Sequence, residues 1–191
     1  PALRNSKLID VIHCFEHTSD NSVTKEMVLI KIQCSPSERS MALQIAERAV
    51  AECPGSAQAF AMRARAFWKL GEIRACDVDA DHALQLDPRC ALAVATKAAR
   101  MSDEGQISQA LVMLDQAIDH LPGDASLHIA RGWQRQENGQ LNDALHDYHQ
   151  AIALEPQDLR GYVNAAAVLN SLGRNNEAAE LWNSGASACP D

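Results

Sequence analysis

Three basic residues recur at a fixed interval. Arg63, Lys97 and Arg131 stand 34 residues apart. Sixteen residues after Arg63 comes Asp79, and sixteen after Arg131 comes Asp147. The same offset from Lys97 reaches Met113, and from Ala165 it reaches Leu181. An aspartate therefore answers only where an arginine precedes it. A guanidinium is a planar fork of donors that fits a carboxylate through two parallel bonds, which an ammonium cannot do. The pattern predicts two Arg–Asp bridges, each joining neighbouring helices, in preference to a basic ladder offered to a ligand.

Other reactive residues are less organised. His146 and His149 lie three apart with Asp143 and Asp147 nearby. Two histidines on one helical face can begin a metal site, but no further ligands follow at a usable spacing. Cys14 beside His13 and His17 is too local to supply a nucleophile, its base and an orienting group. No phosphate-binding glycine loop is present. Without a catalytic set, neither enzyme activity nor a cofactor or metal is expected.

These residues sit in a frame set by one period. Pro54, Pro88, Pro122, Pro156 and Pro190 are 34 residues apart, and Gly71, Gly105, Gly139 and Gly173 keep that interval. So do the small residues Ala42, Cys76, Ala110, Ala144 and Ala178, and again Ala49, Ala83, Ala117, Ala151 and Gly185. A fixed period of this size means stacked supersecondary units. Within each unit a first helix ends near the glycine, where left-handed backbone suits a helix C-terminus. A second helix ends at the proline, which cannot continue a helix. The blocks run 57–90, 91–124, 125–158 and 159–191.

Ahead of them, residues 22–56 read as a worn first block. Val23, Met27, Ile30 and Gln33 suit a first helix, although Val28 to Ile32 is also strand-like. Its second helix is signalled by Ser35-Pro36-Ser37-Glu38, a capping box with proline at the first helical position. Residues 1–21 carry a helical stripe of Leu8, Ile9, Ile12 and Phe15 and read as one amphipathic helix, over about 3–17, that could cap the array.

Composition narrows the setting. The 191 residues are 47% hydrophobic with a net charge of −8, which argues against general nucleic-acid binding. No apolar run of about 18 residues is present, so no membrane span is expected. Pro1-Ala2-Leu3-Arg4 opens no signal peptide. The six cysteines, Cys14, Cys34, Cys53, Cys76, Cys90 and Cys189, form no CxxC pair. Free thiols in a reducing, cytoplasmic compartment follow.

The stretches AFAMRARAFWKLGEIRACDVDADHALQLDP and SLHIARGWQRQENGQLNDALHDYHQAIALEP resemble the tetratricopeptide repeat (TPR), and the resemblance runs from Ala57 to the C-terminus and, in degenerate form, from Val23. It implies an all-α, right-handed superhelical solenoid of stacked antiparallel helical hairpins. First helices would line a concave face and second helices a convex one. It implies no enzyme activity but a protein-interaction module. Some members of that family clamp a peptide carboxylate with Lys, Asn, Asn, Lys and Arg at set positions. This chain has Ala61, Arg65, Thr96, Ser126 and Ala130 there, so that mode is not expected.

Helical offset places Gln58, Met62, Arg65, Trp68 and Lys69 on one face of a first helix, opposite Phe60, Ala64 and Phe67. Ile129 and Trp133, then Arg160 and Asn164, occupy that face later in the chain. Tryptophan and arginine are the residues that make hot spots on such walls. First helices sum to about +5 and second helices to about −10 by counting charged residues. An acidic or amphipathic peptide lying against the first helices is the favoured partner, held by an adaptor, assembly factor or secretion-type chaperone. The alternative is a self-assembling scaffold, or the repeat segment of a larger protein. Ala178, Leu181 and Trp182 would face outward on an end with no C-terminal capping helix, where a second copy could dock.

Overall fold

The computed structural model describes residues 36–188, with side chains from Met41 onward. The expected helix at 3–17, the first half of the worn block and Pro190 lie outside the described residues. Within them every regular element is a helix: α1 (Pro36–Glu52), α2 (Ala57–Leu70), α3 (Ile73–Leu86), α4 (Ala91–Asp103), α5 (Ile107–His120), α6 (Ala125–Glu137), α7 (Leu141–Leu154), α8 (Leu159–Ser171) and α9 (Asn175–Ala188).

Glycine and proline punctuate these helices for separate reasons. Gly71, Gly105, Gly139 and Gly173 all adopt positive φ, between 74° and 81°. Each closes a first helix with a paired turn. Gly71 N–H donates to Trp68 O, and Glu72 N–H reaches back to Phe67 O at 2.9 Å. Arg135 and Leu169 carbonyls accept equivalent bonds from Gln140 and Arg174. These bonds satisfy carbonyls that the helix end leaves open. Second helices stop two residues before each proline, at Glu52, Leu86, His120 and Leu154. The turn then delivers a cap: Ser56 accepts from Ala59 N–H, and Asp124 from Ser126 and Leu127 N–H. Asp158 accepts from Arg160 N–H in the same way.

The chain forms two compact units, one ending at Thr96 and the other beginning at Lys97. In the first, α2 packs on α1 and α3. Ala42 and Ala46 of α1 cover Met62, and Ala64 meets Cys76 and Ala80 between α2 and α3. In the second unit α6 packs on α5 and α7, and α8 on α7 and α9. Tyr148 lies at its centre with Leu145, Ala165, Ala166, Val168 and Leu169. Two helical glycines, Gly132 on α6 and the ladder residue Gly185 on α9, have a steric cause. A Cβ on Gly132 would stand 2.7 Å from the Tyr148 ring, and one on Gly185 would stand 2.9 Å from Tyr162. Cys76 is buried among alanines as a small core residue.

Candidate functional site

The two predicted bridges are present. Arg63 donates from Nε to Asp79 Oδ2 at 2.6 Å and from Nη2 to Oδ1 at 2.9 Å, joining α2 to α3. Its guanidinium carbon lies 5.4 Å from the centre of the Phe60 ring and 5.9 Å from that of Phe67. Hydrogen bonding to Asp79 holds its pKa above the ordinary value, more than burial lowers it, and the charges of Asp79 and Glu47 add to the effect.

The second bridge is larger than the spacing foretold. Asp147 of α7 is fully buried and accepts from Arg131 Nη2 at 2.6 Å and from Arg135 Nη1 at 2.9 Å, both on α6. Arg131 Nη1 also donates to Asp115 of α5 at 2.8 Å. Burial works against the Arg131 charge, yet its bonds to Asp147 and Asp115 outweigh that and raise its pKa. His128 lies at the edge, with Nδ1 3.9 Å from Asp147 Oδ1 and Nε2 3.3 Å from Pro122 O. The backward offset was available in the sequence: Asp115 precedes Arg131 by sixteen, as Glu47 precedes Arg63. Arg135 gave no such signal.

The expected binding face is only partly a surface. Met62 is 1% exposed. Helical offset placed it outward, but α1 lies over it, so it is core and not a contact residue. Ile129 is half-buried against the second unit's core. Gln58 Oε1 lies 3.5 Å from Cys90 Sγ, which donates to it. Arg160 turns back on its own helix cap, with Nε 2.8 Å from Asp158 Oδ2, so its charge is largely neutralised within the chain. Lys69 is exposed with Nζ 3.9 Å over the Trp68 ring. Trp68 in turn packs against Ala64, Cys76 and Ala80. Arg65, Trp133 and Asn164 are half-buried. The outward reading of the last hairpin also changes. Ala178 is buried and Leu181 packs on the Tyr148 cluster, because α9 turns that side onto α8, while Trp182 is 48% exposed.

Among the described residues no group of His, Cys, Asp or Glu could hold a metal, and no helix is long and apolar enough to cross a membrane. His146 and His149 share α7, and their proximity is repulsive. Partial burial first, then His146 and Arg174, lower the pKa of His149.

The fold that this architecture defines is a helical-repeat solenoid like that of tetratricopeptide-repeat proteins: all-α hairpins closed by glycine, ended before proline and packed through small residues. Among solved structures, the thermophilic TPR protein TTC0263 of Thermus thermophilus shares that fold, with a TM-score of 0.70 and 23% identity over 89% of this chain and 93% of its own. MamA from Desulfovibrio magneticus RS-1 matches at a TM-score of 0.54 and 16% identity, covering 90% of this chain and 97% of its own. The human IFIT1 dimer with PPP-AAAA matches at 0.67 and 15% identity, over 93% of this chain but 43% of its own. At these identities the likeness is one of fold. No protein-family profile and no curated protein sequence matches the chain.

Proposed function

We propose that this chain is a non-enzymatic interaction scaffold that holds a peptide segment of a partner protein against its first helices, as an adaptor, assembly factor or chaperone does. One observation carries the reading. Arg65, Ala99, Trp133 and Ala167 occupy a single repeat position. Ala99 is buried and Ala167 exposed, while Arg65 and Trp133 put a large, half-buried side chain at the same position. Side chains of that kind, anchored at the stem and accessible at the tip, form interface hot spots. Within the first unit Trp68 under Lys69 and Gln58 would add to Arg65, and within the second Asn164 and Arg160 would add to Trp133. The partner is better described as amphipathic than as acidic, since Arg63, Arg131, Arg135 and Arg160 are already engaged by the protein's own carboxylates.

The test is affinity capture by the intact chain from native cell lysate, quantified by mass spectrometry against the variant carrying Arg65→Glu and Trp133→Ala. The variant should keep its helicity and lose the captured partner. Equal capture by both proteins would sink the proposal. A neighbour determined with PPP-AAAA makes oligoadenylate the informative control ligand. The net charge of −8 argues that it will not bind at physiological salt.

A second reading, self-assembly, is favoured by the exposed Trp182. Sedimentation at two concentrations separates the two. A mass that rises with concentration in the wild type and not in Trp182→Ser would establish it.

A further inference from the structure

One first helix carries a reactive pair at its end. The turn glycines Gly71, Gly105, Gly139 and Gly173 follow Leu70, Glu104, Asn138 and Leu172. Asn138 is the chain's one asparagine before a glycine. The turn does not need it: Gly71, Gly105 and Gly173 each donate to the carbonyl three residues back, as Gly139 does to Gln136 O at 3.0 Å. What the pair adds is chemistry. An asparagine's amide carbon can reach the next backbone nitrogen, and a glycine there has no Cβ to hinder the approach. Asn138 and Gly139 are exposed, so water reaches both.

The fold holds the pair out of reaction. Asn138 has φ −84° and ψ 6°, and closing a five-membered ring needs ψ turned well away from that value. Gly139 N–H is engaged with Gln136 O, and Asn138 Nδ2 donates to Gln140 Oε1 at 3.2 Å. Gln140 N–H closes the turn on Arg135 O at 2.8 Å. Reaction requires this turn to open.

We propose that Asn138 is a site of spontaneous deamidation gated by the terminal turn of α6. With the turn open, Gly139 N gives its proton to base and attacks Asn138 Cγ. The Cγ–Nδ2 bond breaks, the departing nitrogen takes a proton from water and leaves as ammonia, and a succinimide joins the two residues. Water then opens the ring at either carbonyl, leaving aspartate or isoaspartate at position 138. Isoaspartate adds a carbon to the backbone, so the Gly139 and Gln140 bonds cannot both re-form. Arg135 stands at this end of α6 and donates to the buried Asp147 at 2.9 Å. Losing the turn loosens one of the two arginines that hold that carboxylate. The inference stands apart from the first-helix face and does not depend on it.

The intact chain is incubated in mildly alkaline buffer, folded and in urea, beside a blocked peptide of residues 135–141, and products are located by peptide mapping with mass spectrometry. The peptide and the unfolded chain should deamidate at Asn138 at similar rates. The folded chain should do so about tenfold or more slowly, since reaction draws on the small population with the turn open. Partly converted protein should show faster amide exchange at Gln140 and along α6–α7. Asn138→Leu, which installs the residue of two other repeats, should show no such change after the same incubation. Freshly made Asn138→Asp should exchange like fresh wild type, which assigns the loosening to isoaspartate. A folded chain that reacts as fast as the peptide overturns the proposal. So does an unfolded chain in which another asparagine converts first, or converted protein whose α6–α7 exchange is unchanged.

Discussion

Removing Arg63 and removing Arg131 look equivalent in the sequence, and the structure makes them unequal. Asp79 is 6% exposed, and Arg63 is its cation among the described residues. Asp147 is fully buried but keeps Arg135 at 2.9 Å when Arg131 is lost. Leaving a buried charge without its partner costs about 3–5 kcal/mol, so Arg63→Met should fall in that range. Arg131→Met removes charged hydrogen bonds while Asp147 stays paired, which is worth about 1.5–3 kcal/mol. Arg131→Met with Arg135→Met strands Asp147 and should return to about 3–5 kcal/mol or more. For a chain of this size the larger losses would lower the thermal midpoint by roughly 6–20 °C.

The acid partners supply the decisive control. Replacing a whole buried pair by apolar groups of similar volume is close to neutral, so Arg63→Met with Asp79→Leu should recover most of what Arg63→Met loses. Urea unfolding followed by circular dichroism measures the totals. Because the chain forms two units, amide exchange in α2–α3 and in α6–α7 assigns each loss to its own unit. The reasoning fails if Arg131→Met costs as much as the Arg131/Arg135 double variant. It fails equally if the Arg63/Asp79 double variant is no more stable than Arg63→Met.

Two further outcomes are expected. Gly132→Ala should destabilise by about 1–3 kcal/mol through overpacking, because the Tyr148 ring it meets is fully buried and donates to Gln136 Oε1. Gly161→Ala should cost a similar amount, since its new Cβ would stand 2.7 Å from Cγ1 of Ile152, next to the branch of a side chain stiff at χ1; a neutral Gly161→Ala in urea would contradict this. The lowered pKa of His149 sets a pH dependence. The unfolded chain takes up a proton at about 6.5, before the folded one does. Stability is therefore fully present above about pH 6.5 and is lost as pH falls toward the lower folded value. His149→Gln should flatten that decline, and parallel wild-type and variant curves would show that the shift has no energetic weight.

How much could be read in advance differs by type of information. The hairpins were legible because glycine and proline act locally. Gly71 must end a helix wherever left-handed backbone is needed, and the residues before Pro88 must leave the helix whatever surrounds them. The Arg–Asp bridges were legible because a 16-residue offset joins fixed points on two paired helices, so chemistry and geometry could be counted together. Met62 shows where counting stops. A helical wheel separates one helix's faces and does not say which face the preceding helix covers. Ala42 and Ala46 cover Met62 from α1. Arg135 shows the same limit for charge. It reaches Asp147 twelve residues away in a repeat position that holds Phe67 in the first unit, so the periodicity that reveals the fold conceals the exception.

The exceptions also decide what kind of partner the first helices suit. Their excess of basic residues suggested attraction to acid. Yet Arg63 is bonded to Asp79, Arg131 to Asp115 and Asp147, Arg135 to Asp147, and Arg160 to Asp158. Each pair holds one helix against another or caps a helix start. Charge counted along a helix therefore overstates the charge presented by its face. With the carboxylates of second helices answering the arginines of first helices, long-range steering of an acidic ligand is weak. Affinity must then come from apolar and aromatic area, which places the weight on Trp133 and on Trp68 under Lys69. On the proposed function, a partner selected in that way should bind with little dependence on salt.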